Sequence, residues 1–239
     1  MAHLSKLDNL DVIVLTGGKC GSSTLWSTFV NNNYSSIKVH NTLDFKNQFG
    51  YDGLIDVINK SSSNKKLYLI DSYRLPIERK ISSFFENIHV HIPDYTNKSC
   101  DELIHIFNET YIGKLEEYQS INPIMNHYSV EPFQKFDFKK RYVIKECGNL
   151  VFIKILFSDI TNWNKILSTI FHKNIVMCNS NLTKNKGDQI QLLYTEFKSK
   201  YKVPLSYINN VLKHDKEFKI FNTEEEQTRY INKWLKSLY

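Results

Sequence analysis

The feature that most constrains this chain is a short apolar run that stops in a cluster of glycines. Residues 11–16 read DVIVLT, β-branched and nearly all apolar, as a strand buried on both faces reads. Residues 17–24, GGKCGSST, follow without a break, and Leu25, Trp26, Phe29 and Val30 then recur at helical spacing. The chain has only 8 glycines in 239 residues, so Gly17, Gly18 and Gly21 stand out as a cluster. A turn of this kind between a buried strand and a helix presents backbone N–H groups to an anion, and the helix start adds its positive end. The plain alternative is a tight turn with an ordinary helix cap.

The rest of the chain continues the strand–helix alternation. Residues 37–40 read as a second short strand, and residues 67–71 (LYLID) as a third after the polar break at 61–66. Residues 73–87 follow, the later part helical. Residues 141–157 carry two apolar runs around Gly148-Asn149, which read as strands. Ser99 with Glu102, and Thr223 with Glu226, form capping-box patterns that open helices. Apolar residues at helical spacing predict further helices over 161–171 and 187–201. We expect an α/β fold, a P-loop-type parallel sheet flanked by helices with a mostly helical C-terminal half, in one domain over residues 1–239.

Composition excludes several classes. Hydrophobic residues make up 41% and charged residues 23%, so the chain is neither disordered nor low in complexity. No apolar run approaches the roughly 20 residues that span a bilayer, and residues 1–11 do not read as a secretory leader. Cys20, Cys100, Cys147 and Cys178 are widely spaced without a CxxC pair, so a reduced, cytoplasmic protein is expected. A net charge of +6 suits an anionic ligand. The basic residues are dispersed and no aromatic RNA-binding run is present, so nucleic acid is not expected as a partner. His89 and His91 form an HxH pair without a third ligand, which reads as loop or edge strand rather than zinc site.

Which phosphate loop this is follows from the order of its residues. The Walker A form, GxxxxG followed by Lys and Ser or Thr, has its lysine after the last glycine. Here Lys19 precedes Gly21 and Ser22 follows it. The dinucleotide form GxGxxG also fails. The stretch LTGGKCGSSTL resembles instead the 5′-phosphosulfate loop of sulfotransferases that use 3′-phosphoadenosine-5′-phosphosulfate: strand, Lys or Arg, one residue, Gly, two or three Ser/Thr, helix. A second motif of that family, Arg-x-Pro-x-x-Arg-x-x-Ser after the third strand, is matched by SYRLPIERKISSFF at Arg74, Pro76, Arg79 and Ser82. Leu75 departs from it, where Asp or Asn is commoner. In isolation Arg74, Glu78 and Arg79 also read as a solvated helix start. Weaker likenesses lie further on. Residues 127–134 resemble a His-aromatic-x-Pro-Gln element of carbohydrate sulfotransferases. Residues 152–160 resemble the family's late strand, and the tail is similar to bacterial capsular-polysaccharide proteins.

The resemblance implies a cofactor site of Gly18, Lys19, Cys20, Gly21, Ser22, Ser23, Thr24, Arg74 and Ser82. It implies the phosphosulfate nucleotide as co-substrate and adenosine 3′,5′-bisphosphate as product. Sulfuryl transfer is an in-line displacement at sulfur, and the sulfuryl group carries less charge than a phosphoryl group, so no metal is required. Lys19 is then the electrostatic partner of the leaving oxygen, and Arg74 and Ser82 take the 3′-phosphate. The family's base is a Glu or His near the end of the second strand, where this chain offers His40; an ordinary imidazole titrates near about 6.5 and suits the role. Asp44 and His127 are reserve candidates, and His127 is placed at the acceptor, for which a carbohydrate hydroxyl is expected. A P-loop kinase-like phosphotransferase and a non-enzymatic polyanion-binding module are the alternatives.

Overall fold

The computed structural model describes residues 7–112, 121–178 and 188–235 of the chain. They divide into two compact units: residues up to Arg74 with 118–181, and Leu75–Glu117 with 182–239.

The first unit is an α/β sheet. β1 (Val12–Leu15), β2 (Ser36–Val39), β3 (Leu67–Tyr73), β4 (Tyr142–Cys147) and β5 (Leu150–Leu156) lie in the order β2-β1-β3-β5-β4. β1 pairs in parallel with β2 and β3, and β3 with β5. Only β4 is antiparallel, joined to β5 by a turn in which Gly148 takes a φ of 56°. Parallel strands need both faces covered, and β1 and β5 are buried at every position.

Strand alternation decides which helix covers which face. Val12, Val14, Ile70, Val151, Ile153 and Ile155 meet Leu25 and Phe29 of α1 (Ser22–Asn31) and Trp163, Ile166, Leu167 and Ile170 of the later helix Trp163–Phe171. α2 (Thr42–Phe49) packs against β2, and α3 (Leu54–Ser62) against β3. The step β1→β2 moves one way along the sheet and β2→β3 moves back across β1. The crevice between β1 and β3, at their carboxyl ends, is therefore a topological switch point, where open α/β sheets bind ligands.

The second unit is helical. α4 (Pro76–Glu86) starts with proline at its first turn, where the missing N–H costs nothing. The one-turn α5 (Ile88–His91), α6 (Cys100–Phe107) and a π-helical turn over Asn108–Ile112 follow. In the first unit the chain then forms α7 (Asn122–His127), β4, β5, a 3₁₀ segment (Phe157–Asn162) and α8 (Trp163–Phe171). It closes in the second unit with α9 (Asp188–Lys200), α10 (Leu205–Asn210), α11 (Lys216–Ile220) and α12 (Glu224–Trp234). An aromatic core of Phe84, Phe85, Phe107, Phe197, Tyr201 and Trp234 holds this unit together.

Most of the expected elements are present, with shifted ends. β2 starts one residue early, at Ser36, and β3 runs two residues past Asp71 because Ser72 and Tyr73 still pair with Ile155 and Leu156. Both capping boxes form, at Ser99–Glu102 and Thr223–Glu226. One expectation is corrected: His89 and His91 lie in the helical turn α5, not in a loop or edge strand. Burial of Ile88 and the bond from Ile92 N–H to the Ile88 carbonyl carry the helical phase of α4 onward. Two residues apart on a helix, the two rings point to opposite sides. Among the described residues no helix is long and apolar enough to cross a membrane.

Candidate active site

The site is assembled where four strands of the first unit end. Thr16, just beyond β1, extends the sheet by side chain: its Oγ1 donates to the Ser72 carbonyl at 3.0 Å and accepts from Ser72 N–H at 3.2 Å. This fixes the start of the glycine-rich loop against β3.

The loop then reverses through two left-handed residues, Lys19 at φ 67° and Gly21 at φ 86°. Gly21 is the N-cap of α1 and supplies no side-chain cap. Any other residue would be strained there, since a Cβ would stand 2.6 Å from Trp163 and 3.2 Å from Phe157, in a backbone conformation that disfavours L side chains. The first turn of α1 holds no acidic residue to offset the positive helix end. Ser22 and Thr24 are buried and Ser23 is half-buried. Cys20 is fully buried, its Sγ 3.6 Å from the Gly18 carbonyl.

Arg74, the first residue after β3, reaches this loop. Its Nη1 donates to the Lys19 carbonyl at 2.7 Å, and its guanidinium lies 4.5 Å from the ring centroid of Phe157. Register explains the closeness: Tyr73 pairs with Leu156, so Arg74 and Phe157 leave adjacent strands side by side.

On the other flank His40 follows β2. Its Nδ1 lies 2.6 Å from the Thr16 carbonyl. A carbonyl can only accept, so Nδ1 carries the proton there and Nε2 of the neutral ring is left as the basic nitrogen. Asp44 holds the backbone: its carboxylate accepts from His40 N–H at 2.7 Å and from Gln48 at 2.9 Å. His40, Lys19, Arg74 and Phe157 thus form a row along the carboxyl edge, in the strand order β2, β1, β3, β5.

Lys38 belongs to no motif and reaches the loop through the sheet. On β2 it pairs in register with Val14, so it faces α1. Its Nζ donates to Ser23 Oγ at 3.0 Å and lies 5.7 Å from the Trp26 ring centroid. The clue in the sequence is a lone lysine between two buried residues of a four-residue strand. Locating it at the loop needs the register.

His127 is exposed at the end of α7, its ring edge-on to Tyr128. Ser82 is half-buried on α4, in the second unit. Arg79 is not on a solvated helix start: it is buried within that unit, while Glu78 accepts from Tyr230 and pairs with Lys233. Among the described residues no cluster of His, Cys, Asp or Glu is arranged to hold a metal ion. No family model, curated protein or solved structure matches this chain.

Proposed function

We propose that the chain is a sulfotransferase of the P-loop type that moves a sulfuryl group from 3′-phosphoadenosine-5′-phosphosulfate to a hydroxyl, in the first instance of a carbohydrate. The observation that carries this reading is the contact between the two motifs. They are separated by 55 positions, yet Arg74 bonds directly to the Lys19 carbonyl at the sheet's switch point. Two stretches far apart in sequence, each resembling a phosphate motif of one family, therefore meet at the carboxyl edge of the sheet, and this contact supports the reading.

The proposed chemistry assigns a part to each residue of this row. The loop N–H groups and hydroxyls bind the 5′-phosphosulfate, and Arg74 takes the 3′-phosphate through charge-assisted bonds. The acceptor oxygen attacks sulfur, and its proton passes to Nε2 of His40. The bond from sulfur to the bridging phosphate oxygen breaks, and the Lys19 ammonium stabilises the charge that develops there. Adenosine 3′,5′-bisphosphate and the sulfate ester leave. Placement of reactants and stabilisation of the leaving oxygen supply the rate, as in phosphoryl transfer. His40 is preferred as base to Asp44, whose carboxylate is committed to the His40 and Gln48 N–H groups.

The experiment is transfer of labelled sulfate from the donor nucleotide to panels of glycans, phenols and sterols. Label in an aliphatic glycan hydroxyl, lost in Lys19→Ala, is the expected result. Label transfer absent from every panel, with magnesium-dependent phosphate transfer from ATP instead, would favour the kinase-like alternative.

A further inference from the structure

We propose that Arg74, seated on the ring of Phe157, is a positioning residue for Lys19, so that the two phosphate motifs work as one part. What Lys19 does rests on the sulfotransferase reading; how it is held rests on geometry.

Three contacts carry the inference. Arg74 Nη1 grips the Lys19 carbonyl at 2.7 Å. The guanidinium carbon lies over Phe157, 4.5 Å from the ring centroid, where cation–π attraction holds it. The same ring forms the floor under Gly21, 3.2 Å from where a Cβ would stand. Phe157 therefore touches both motifs and belongs to neither. Lys19 also needs holding. Its φ of 67° is one that a lysine keeps only when its surroundings impose it. The Arg74 bond to its carbonyl is such a constraint, applied from the neighbouring strand.

A consequence follows for donor choice. A guanidinium has five N–H donors, and one serves the Lys19 carbonyl. A 3′-phosphate bound by the remainder immobilises Arg74 and, through it, the Lys19 backbone. A donor without that phosphate leaves Lys19 less well placed even when the site is full. The 3′-phosphate is then read in turnover as well as in affinity.

The test uses Phe157→Leu, Phe157→Tyr and Arg74→Lys in the full chain, with two readouts. The first is amide hydrogen exchange of residues 17–21 without ligand. Phe157→Leu and Arg74→Lys should each speed it by about tenfold or more, and Phe157→Tyr, which keeps the ring, should not. The second is kinetics at saturating donor. Phe157→Leu should lower turnover by about 10–100-fold while the donor KM moves by less than about threefold, and Phe157→Tyr should restore it. Wild-type turnover with saturating adenosine-5′-phosphosulfate should fall by a similar factor.

Loop exchange unchanged in both Phe157→Leu and Arg74→Lys overturns the inference, whatever the protein catalyses. Faster exchange with unchanged turnover also overturns it, since Arg74 would then support the loop without placing Lys19. A wild-type protein that transfers no sulfuryl group refutes the functional reading instead, and the exchange readout still decides whether Arg74 and Phe157 hold the loop.

Discussion

Two sets of cations lie close together in the first unit, and they are treated in opposite ways. In the middle of the sheet Lys154 of β5 stands beside Asp71 of β3, in direct register, 2.7 Å apart and with neither side chain exposed. Asp71 Oδ2 also accepts from Ile121 N–H. At the carboxyl edge, Arg74 and Lys38 bond to neutral atoms, a carbonyl and a hydroxyl. Among the described residues neither has a carboxylate partner. A buried cation must be neutralised on the spot or it costs several kcal/mol. A half-exposed one can keep its charge for an anion that arrives later. The pair inside holds strands together, whereas the edge keeps positive charge around a helix start that is already positive. That conflict with the helix dipole is tolerated where a ligand resolves it.

The largest expected effect lies inside the sheet. Lys154→Met leaves Asp71 buried without its counter-charge and should cost about 3–5 kcal/mol of stability. Adding Asp71→Leu should recover most of that loss. Denaturant unfolding of the two variants checks this, and equal losses would mean that the pair is not coupled.

At the edge the ranking reverses, with function moving more than stability. Lys19→Ala should lower turnover by about 10²–10³, the size of losing one preorganised charge-stabilising donor, with the unfolding midpoint nearly unchanged. His40→Ala should lower turnover by about 10²–10⁴ on an aliphatic hydroxyl. Nucleotide affinity should stay nearly intact. A phenol of low pKa should bypass this loss.

Lys38→Ala should have a smaller effect. It should weaken adenosine 3′,5′-bisphosphate by about fivefold at low salt, with the difference shrinking as salt screens the charge. Calorimetry at two ionic strengths measures it.

The smallest effect lies in the second unit. Hydrogen bonds from Ser99, the backbone N–H first, hold the Glu102 carboxyl below the ordinary glutamate range. A carboxyl depressed by folding stabilises above its unfolded pKa and loses that contribution as pH falls through the lower folded value. Glu102→Gln should therefore flatten the stability–pH curve slightly on its acid side, as acid titrations of unfolding would record.

How much of this was legible in the sequence depends on how local each feature is. The strand DVIVLT, the glycine turn and the two capping boxes are written in consecutive residues, and all appear in the structure. Lys19 and Arg74 could be named because each sits in a short motif. Lys38, Phe157 and the Asp71–Lys154 pair could not, because each gains its meaning from a neighbour on another strand. Asp71 read as the end of β3, yet it is a fully buried interior residue of a longer strand. His-Val-His alternates like a strand, yet it forms the helical turn α5, with Ile88 buried.

The most direct test of the central claim is calorimetric titration of the protein with adenosine 3′,5′-bisphosphate and with adenosine 5′-monophosphate, repeated on Arg74→Ala. If the edge between β1 and β3 binds the bisphosphate, the wild type should prefer it by about 30-fold or more, the worth of charge-assisted bonds to one phosphate. Arg74→Ala should erase most of that preference. Equal affinities for the two nucleotides in the wild type, or a preference that survives Arg74→Ala, would contradict the account.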